Sequence, residues 1–393
     1  MEYRSDRYGN KLSVLGFGLM RLPVRLAGID LERSEGLVLA AVDGGVNYFD
    51  TAYLYTGSEE VFGRILARNP ELRQKLHIAT KLPHSQCRSY EDFDRLFNEQ
   101  LRRLQVRSVD YYLIHNLADA AGWQRLVELG IERWVTAQQQ AGRIGQLGFS
   151  FHGKQQGFLD LLEVRDWDFV QIQYNYLDEN FQAGRTGLEA AARRGLPVVV
   201  MEPLRGGKLA GGLPRRAEQL FAAADPEVSV ASWGFRWLFD QPEVTVVLSG
   251  MSNEDQLADN LQTAAVAPTG LLSEGQRQVY AEVIDIIRQT YKVPCTGCNY
   301  CMPCPQGVNI PGCFAAYNTR AAQGLGTGTF QYITSTAANR VDGYMGARLC
   351  IACGACKPKC PQGIDIVQSL REVRARMEPF WFGPLMAIVR RFT

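Results

Sequence analysis

An excess of charge of either sign is missing from this sequence. Its 393 residues carry 42 Lys and Arg against 41 Asp and Glu, a net charge of +1, and the two signs are mixed along the chain. Such a balance leaves no electrostatic footprint for nucleic acid or an acidic partner, and nucleic-acid binding is disfavoured. Long apolar runs are missing too, and none approaches the length needed to cross a bilayer, so no transmembrane segment is expected. The stretch from Pro379 to Arg391 (PFWFGPLMAIVRR) is aromatic and apolar with two arginines behind it. It reads as a tail docked on the protein itself rather than as a membrane contact. The first ten residues are charged and polar, without the apolar core of a signal peptide. A reducing, cytoplasmic location is therefore the expectation, in which thiolates stay available. No G-x-G-x-x-G follows the first apolar run, which argues against a doubly wound open sheet.

Cysteine, by contrast, is concentrated. Eight of the ten cysteines fall in two runs, Cys295-x2-Cys298-x2-Cys301-x2-Cys304-Pro305 and Cys350-x2-Cys353-x2-Cys356-x3-Cys360-Pro361. Thiolates two residues apart can cap three irons of a cubane, while a fourth cysteine followed by proline leaves toward another cluster. Two runs suggest two 4Fe-4S clusters. Crossing over assigns Cys295, Cys298, Cys301 and Cys360 to one and Cys350, Cys353, Cys356 and Cys304 to the other, although the first run is one residue short before Cys304. Structural zinc is the competing reading, but it does not call for Cys-Pro closure. Disulfides fit a reducing compartment poorly. Cys313 is a spare ligand or, better, a buried small hydrophobe; Cys87 stands alone upstream.

Nearly 300 residues precede the cysteine runs. From Leu12 to about Ala265, short β-branched and aromatic runs alternate eight times with longer amphipathic ones. The strand candidates are VLGFGLM from Val14, NYFDTA from Asn47, HIATKL from His77, VDYYLIH from Val109, IGQLGFS from Ile144, FVQIQYN from Phe169, LPVVVME from Leu196 and VTVVLSG from Val244. Between them lie helical patterns such as SYEDFDRLFNEQLRRLQV from Ser89, with Phe93, Leu96, Phe97, Leu101 and Leu104 on one face. Eight such units predict an α/β fold, a closed (β/α)8 TIM barrel. A helix from Ser273 (SEGQRQVYAEVIDIIRQTYK) carries the chain out of it and ends at Val293-Pro294. The expected domains are 1–290, the barrel, and 291–393, a smaller, mainly α-helical domain. Between the cysteine runs helix is expected around Phe314 to Ala322, with a Gly/Thr-rich interruption (GLGTGT) at 324–329. This spacing resembles the α-helical type of ferredoxin module.

In such a barrel the chemistry sits at the C-terminal strand ends. Asp50 ends the second strand, Tyr55 follows in the next loop, Lys81 ends the third and His115 the fourth. An ammonium near a phenol lowers its pKa, so Lys81 beside Tyr55 is expected to ready it to protonate an alkoxide. Asp50 would hold Lys81 charged, and His115 would orient a carbonyl oxygen. A hydride donor is still needed, and a nicotinamide supplies one.

FDTAYLYTGSEEVFG from Phe49 resembles the Asp-Thr-Ala-x-x-Tyr signature of aldo-keto reductases, with IATKL and YYLIHN supplying their lysine and histidine. The resemblance implies the tetrad Asp50, Tyr55, Lys81 and His115. The family spacing selects Tyr55 over Tyr53 as the acid. NADPH or NADH would lie extended across the barrel mouth. Ser150 and Gln171 match the ligands of its carboxamide, and Met201 falls where many members stack an aromatic ring on the nicotinamide. Gly206 and Gly207 would let the backbone approach the pyrophosphate, and Gly250, Ser252, Gln256 and Asn260 match the adenosine end. Gln256 stands where NADPH-specific members often carry arginine, so the resemblance leaves the choice of nucleotide open.

The complete chain resembles a branch of that family in which the barrel is fused to a ferredoxin-like domain, CTGCNYCMPCPQGVNIP and the final MEPFW being further matches. The fusion replaces the tail that closes the substrate pocket in simpler members, which implies a cluster domain at or near the barrel mouth. The function implied is reduction of a small-molecule carbonyl, aldehyde or ketone, with room for a redox partner protein. Two alternatives stand beside it: an electron-transfer enzyme whose clusters feed a flavin or other redox centre in the barrel, and a redox-sensing binding protein. No flavin motif is recognisable, and an intact tetrad argues against the last.

Overall fold

The computed structural model describes residues 1–25, 28–337, 344–379 and Phe382. Phe380 and Trp381 of MEPFW and nearly all of the apolar stretch from Pro379 lie outside them. The chain divides into two compact units, 1–203 with 232–272, and 204–231 with 273–393. The sequence-derived limit at 290 and this division thus treat 204–231 and 273–290 differently. The helix Arg215–Ala224 packs on Glu274–Thr290, where the rings of Phe221 and Tyr280 are 5.8 Å apart, and this joins those two segments.

The first unit is the expected barrel. Its strands are β1 Leu15–Gly18, β2 Tyr48–Asp50, β3 His77–Leu82, β4 Val109–Leu117, β5 Ile144–Phe151, β6 Phe169–Gln173, β7 Val198–Met201 and β8 Val244–Ser249. They are parallel and close in chain order. Because strand side chains alternate faces, residues two apart on one strand share the barrel interior. An interior cluster is apolar and buried: Tyr48, Ala79, Tyr111, Leu113, Phe169, Val199, Val246 and Leu248. Leu12, from the N-terminal hairpin Tyr3–Ser5 with Lys11–Ser13, joins it. Two residues further along their strands come Asp50, Lys81, His115, Gln171 and Met201. The candidate site therefore lies against this buried apolar cluster, toward the C-terminal strand ends.

Outside the strands, Tyr90–Leu104 buries the five apolar residues of its predicted face, and Ser89 and Asp92 form a capping box at its start. It packs on the helix Ser58–Arg68 at Gly63, where a β-carbon would stand 2.1 Å from the Arg103 carbonyl oxygen. Gly63→Ala is expected to destabilise the barrel by about 1–3 kcal/mol through overpacking, measured as a lower urea midpoint at unchanged slope.

The second unit holds the helices Ile310–Gln323, Leu325–Ala337 and Ile366–Met377. They pack over Val308, Ile310, Phe314, Tyr332, Leu370 and Val373. The interruption expected at 324–329 shrinks to Gly324 (φ +98°), and the helix resumes at Leu325. A β-carbon on Gly328 would fall 2.3 Å from that of Arg320. Gly328 thus serves helix–helix approach, whereas Gly324 supplies the left-handed break between the two helices.

Candidate active site and cysteine tetrads

Lys81 is fully buried and donates to Asp50 Oδ1 at 2.5 Å and to the Thr51 carbonyl at 2.8 Å. Gln171 donates to the other Asp50 oxygen at 2.9 Å. The carboxylate thus holds groups from β3 and β6 together across the barrel. Tyr55 hangs over this pair, its ring centroid 5.0 Å from Lys81 Nζ and 5.8 Å from the His115 ring, which meets it edge-on at 87°. Half-buried, it keeps an opening to solvent. Tyr53, the competing phenol, is covered by the Arg103 guanidinium at 4.2 Å.

The electrostatics correct one expectation. Lys81 was expected to lower the Tyr55 pKa, but burial and then the charges of Asp50 and Glu202 raise it. The ammonium is turned to Asp50 and the Thr51 carbonyl, so the phenol keeps its proton. Burial also lowers Lys81, against the pull of Asp50. His115 is driven well below the ordinary histidine value by burial and then by Lys81; its imidazole is neutral, and Nδ1 has no hydrogen-bond partner among the described residues.

Sequence reasoning missed several neighbours. His84 and His152, from the loops after β3 and β5, stand close enough to act on His115 electrostatically. His152 is itself lowered to about 4 by burial and meets Gln182 at 3.0 Å. Behind Lys81, Glu59 accepts from Thr80 at 2.6 Å and from Gln100 at 2.9 Å, and Gln100 donates to the Lys81 carbonyl at 3.0 Å. Spacing along one strand could not have found this network, because its members come from three elements.

Of the residues matched to a nicotinamide nucleotide, Ser150 and Gln171 are register partners on β5 and β6. The Asn116 N–H donates to Ser150 Oγ at 2.8 Å, which leaves the hydroxyl proton for a ligand. Met201 is half-buried at the end of β7. Buried Asn260 donates to Ser249 Oγ at 2.9 Å, and Gln256 Oε1 accepts from the Ser252 N–H at 2.9 Å. Arg21, absent from the sequence reading, lies against Gly250. Gly206 and Gly207 cluster with the second unit, where they line a cavity of about 880 Å3.

The cysteines form two tetrads. Cys295, Cys298, Cys301 and Cys360 border one cavity with Ile310, Phe314 and Ile366. Cys304, Cys350, Cys353 and Cys356 border another with Val367 and Leu370. None of the ten cysteines forms a disulfide. Among the described residues no three His, Cys, Asp or Glu side chains converge as single-ion ligands; the thiols stand around a space instead. The runs curl about it through left-handed φ at Gly297, Asn299, Ala352 and Gly354. Such a conformation is uncommon for alanine and persists where its surroundings enforce it. The Gly297 N–H points at Cys295 Sγ, 3.4 Å away. Burial, with Cys295, Cys298 and Cys360 alongside, pushes the Cys301 thiol up to about 12. Thiols so crowded ionise together only with cations among them, and the donor set fits an iron-sulfur cluster. Cys313 is buried in the apolar core, 3.8 Å from the Tyr332 hydroxyl.

The aldo/keto reductase family profile matches residues 14–269, and that of the 4Fe-4S dicluster domain matches residues 294–364. Among curated relatives, the 6-dehydroglucose reductase of Novosphingobium aromaticivorans is 28% identical over 282 residues, covering 66% of this chain and 88% of its own length. Pyridoxal 4-dehydrogenase of Microbacterium luteolum is 26% identical over 267 residues, covering 57% and 76%. An aldo-keto reductase of Bacillus halodurans, solved in its holo form, shares the fold with a TM-score of 0.59 at 23% identity, over 72% of this chain and 96% of that one. The chain is thus a member of the aldo/keto reductase family that carries a C-terminal 4Fe-4S domain.

Proposed function

We propose that the protein interconverts a carbonyl and an alcohol with NADPH or NADH, Tyr55 acting as general acid, and that its second domain holds two 4Fe-4S clusters. The reading includes a barrel domain of 1–290, a cluster domain of 291–393 and a cytoplasmic location. What carries it is the convergence of Tyr55, from the loop after β2, on His115, Lys81 and Asp50 at the strand ends.

The nucleotide, held at Ser150, Gln171, Gly250, Ser252, Gln256 and Asn260, supplies a hydride when bound. The neutral His115 imidazole orients the substrate oxygen. Tyr55 keeps its proton at neutral pH and gives it to that oxygen as alkoxide charge develops. The resulting phenolate is stabilised by the Lys81 ammonium, and Asp50 keeps that ammonium charged. Cys295, Cys298, Cys301 and Cys360, and Cys304, Cys350, Cys353 and Cys356, would hold the clusters, which move one electron at a time.

The test is anaerobic. With intact clusters, NADPH or NADH and an aldehyde are added and nucleotide oxidation is followed alongside the visible and electron paramagnetic resonance spectra. Turnover with clusters that stay oxidised is expected, because nicotinamide delivers two electrons together. Absence of turnover with both nucleotides across an aldehyde and ketone panel would overturn the reading. Clusters reduced by the nucleotide would favour the electron-transfer alternative and call for a search for flavin.

A further inference from the structure

Lys208 follows the turn Arg205–Gly207, in which three successive residues take left-handed φ values of +48°, +68° and +93°. The Arg205 guanidinium donates to the Pro294 carbonyl at 2.8 Å and so ties this turn to the residue before Cys295. Leu209, just beyond, is fully buried and anchors the other side. Between these anchors the Lys208 ammonium is buried and finds no hydrogen-bond partner among the described residues. Its electrostatic neighbours are Cys295, Arg205 and Cys298. Cations near the second tetrad are disposed otherwise. Lys357 pairs with Asp365 at 3.0 Å, Arg348 pairs with Glu378 at 2.9 Å, and Lys359 is exposed.

We propose that Lys208 sets the reduction potential of the cluster held by Cys295, Cys298, Cys301 and Cys360, favouring its reduced form. The inference rests on the two-cluster reading above. One-electron reduction adds one negative charge to a unit already surrounded by thiolates. A buried cation that makes no ion pair with a carboxylate among the described residues stabilises the more negative state, and low-dielectric surroundings strengthen that effect. Lys208 thereby tilts the one-electron equilibrium toward the first tetrad. The second tetrad includes the exposed Cys353.

The test is a potentiometric titration with dithionite, monitored by electron paramagnetic resonance, on the full chain with both clusters loaded. Cys298→Ser alters one ligand of the first tetrad and so identifies its signal. Lys208→Gln and Lys208→Met are both titrated, so that a loading defect in one leaves the other. Each is expected to make the first-tetrad cluster at least tenfold harder to reduce, a shift of about −59 mV for one electron. The other signal should stay in place, and Lys208→Arg should resemble the parent. An unmoved first-tetrad signal in the neutral variants, or equal shifts of both signals, would overturn the assignment. If iron content and spectra of the unsubstituted protein show no pair of four-iron clusters, the two-cluster reading itself fails, and this inference with it.

Discussion

Tyr55→Phe is expected to reduce kcat for carbonyl reduction by about 10²–10⁴-fold, the range set by losing a positioned general acid. The substitution removes one oxygen and leaves the ring against His115 and Lys81. Nucleotide binding, followed by quenching of protein fluorescence, should be nearly unchanged. A fall in kcat without a matching fall in nucleotide affinity separates proton transfer from assembly of the site. Unchanged turnover would remove Tyr55 from the acid role, and Tyr53 would then have to be tested despite the guanidinium that covers it.

The second large effect is on stability. Lys81→Met leaves Asp50 in the barrel with only the Gln171 amide and no cation. Removing one partner of a buried ion pair typically costs about 3–5 kcal/mol, because the remaining charge is uncompensated. Replacing both partners by apolar residues of similar size is often neutral, so Asp50→Leu combined with Lys81→Met should recover most of the loss. Urea unfolding of the two single variants and the double variant measures the coupling directly. Additive losses would show that the pair does not act as a unit.

The barrel was legible because its strands are short, apolar and punctuated. HIATKL became a strand residue for residue, and the other seven differ only at their ends. The positions of Asp50, Lys81 and His115 at strand ends follow from that pattern alone. Their energetics do not. The Tyr55 pKa depends on how deeply the phenol is set and where the Lys81 ammonium points, and neither is written in a spacing of residues. Likewise GLGTGT reads as a loop because glycine disfavours isolated helices; only the neighbouring Arg320 reveals why residue 328 must be small. Lys208 was invisible for a different reason. Its cysteine neighbours lie almost ninety residues further along the chain, and nothing local marks it as more than a surface lysine.

The two cavities also constrain biosynthesis. Each is bordered by thiols from both runs: Cys360 completes the first, and Cys304 joins Cys350, Cys353 and Cys356 in the second. A nascent chain that has passed residue 304 but not residue 350 therefore presents the four cysteines of the first run, yet only three for the first site and one for the second. Neither tetrad can be assembled during translation of the first run, whereas β1 to β8 are already complete by Ser249. On the ribosome the barrel can close well before any four-thiolate site exists, so on the proposed two-cluster reading delivery of iron and sulfide follows synthesis of almost the whole polypeptide.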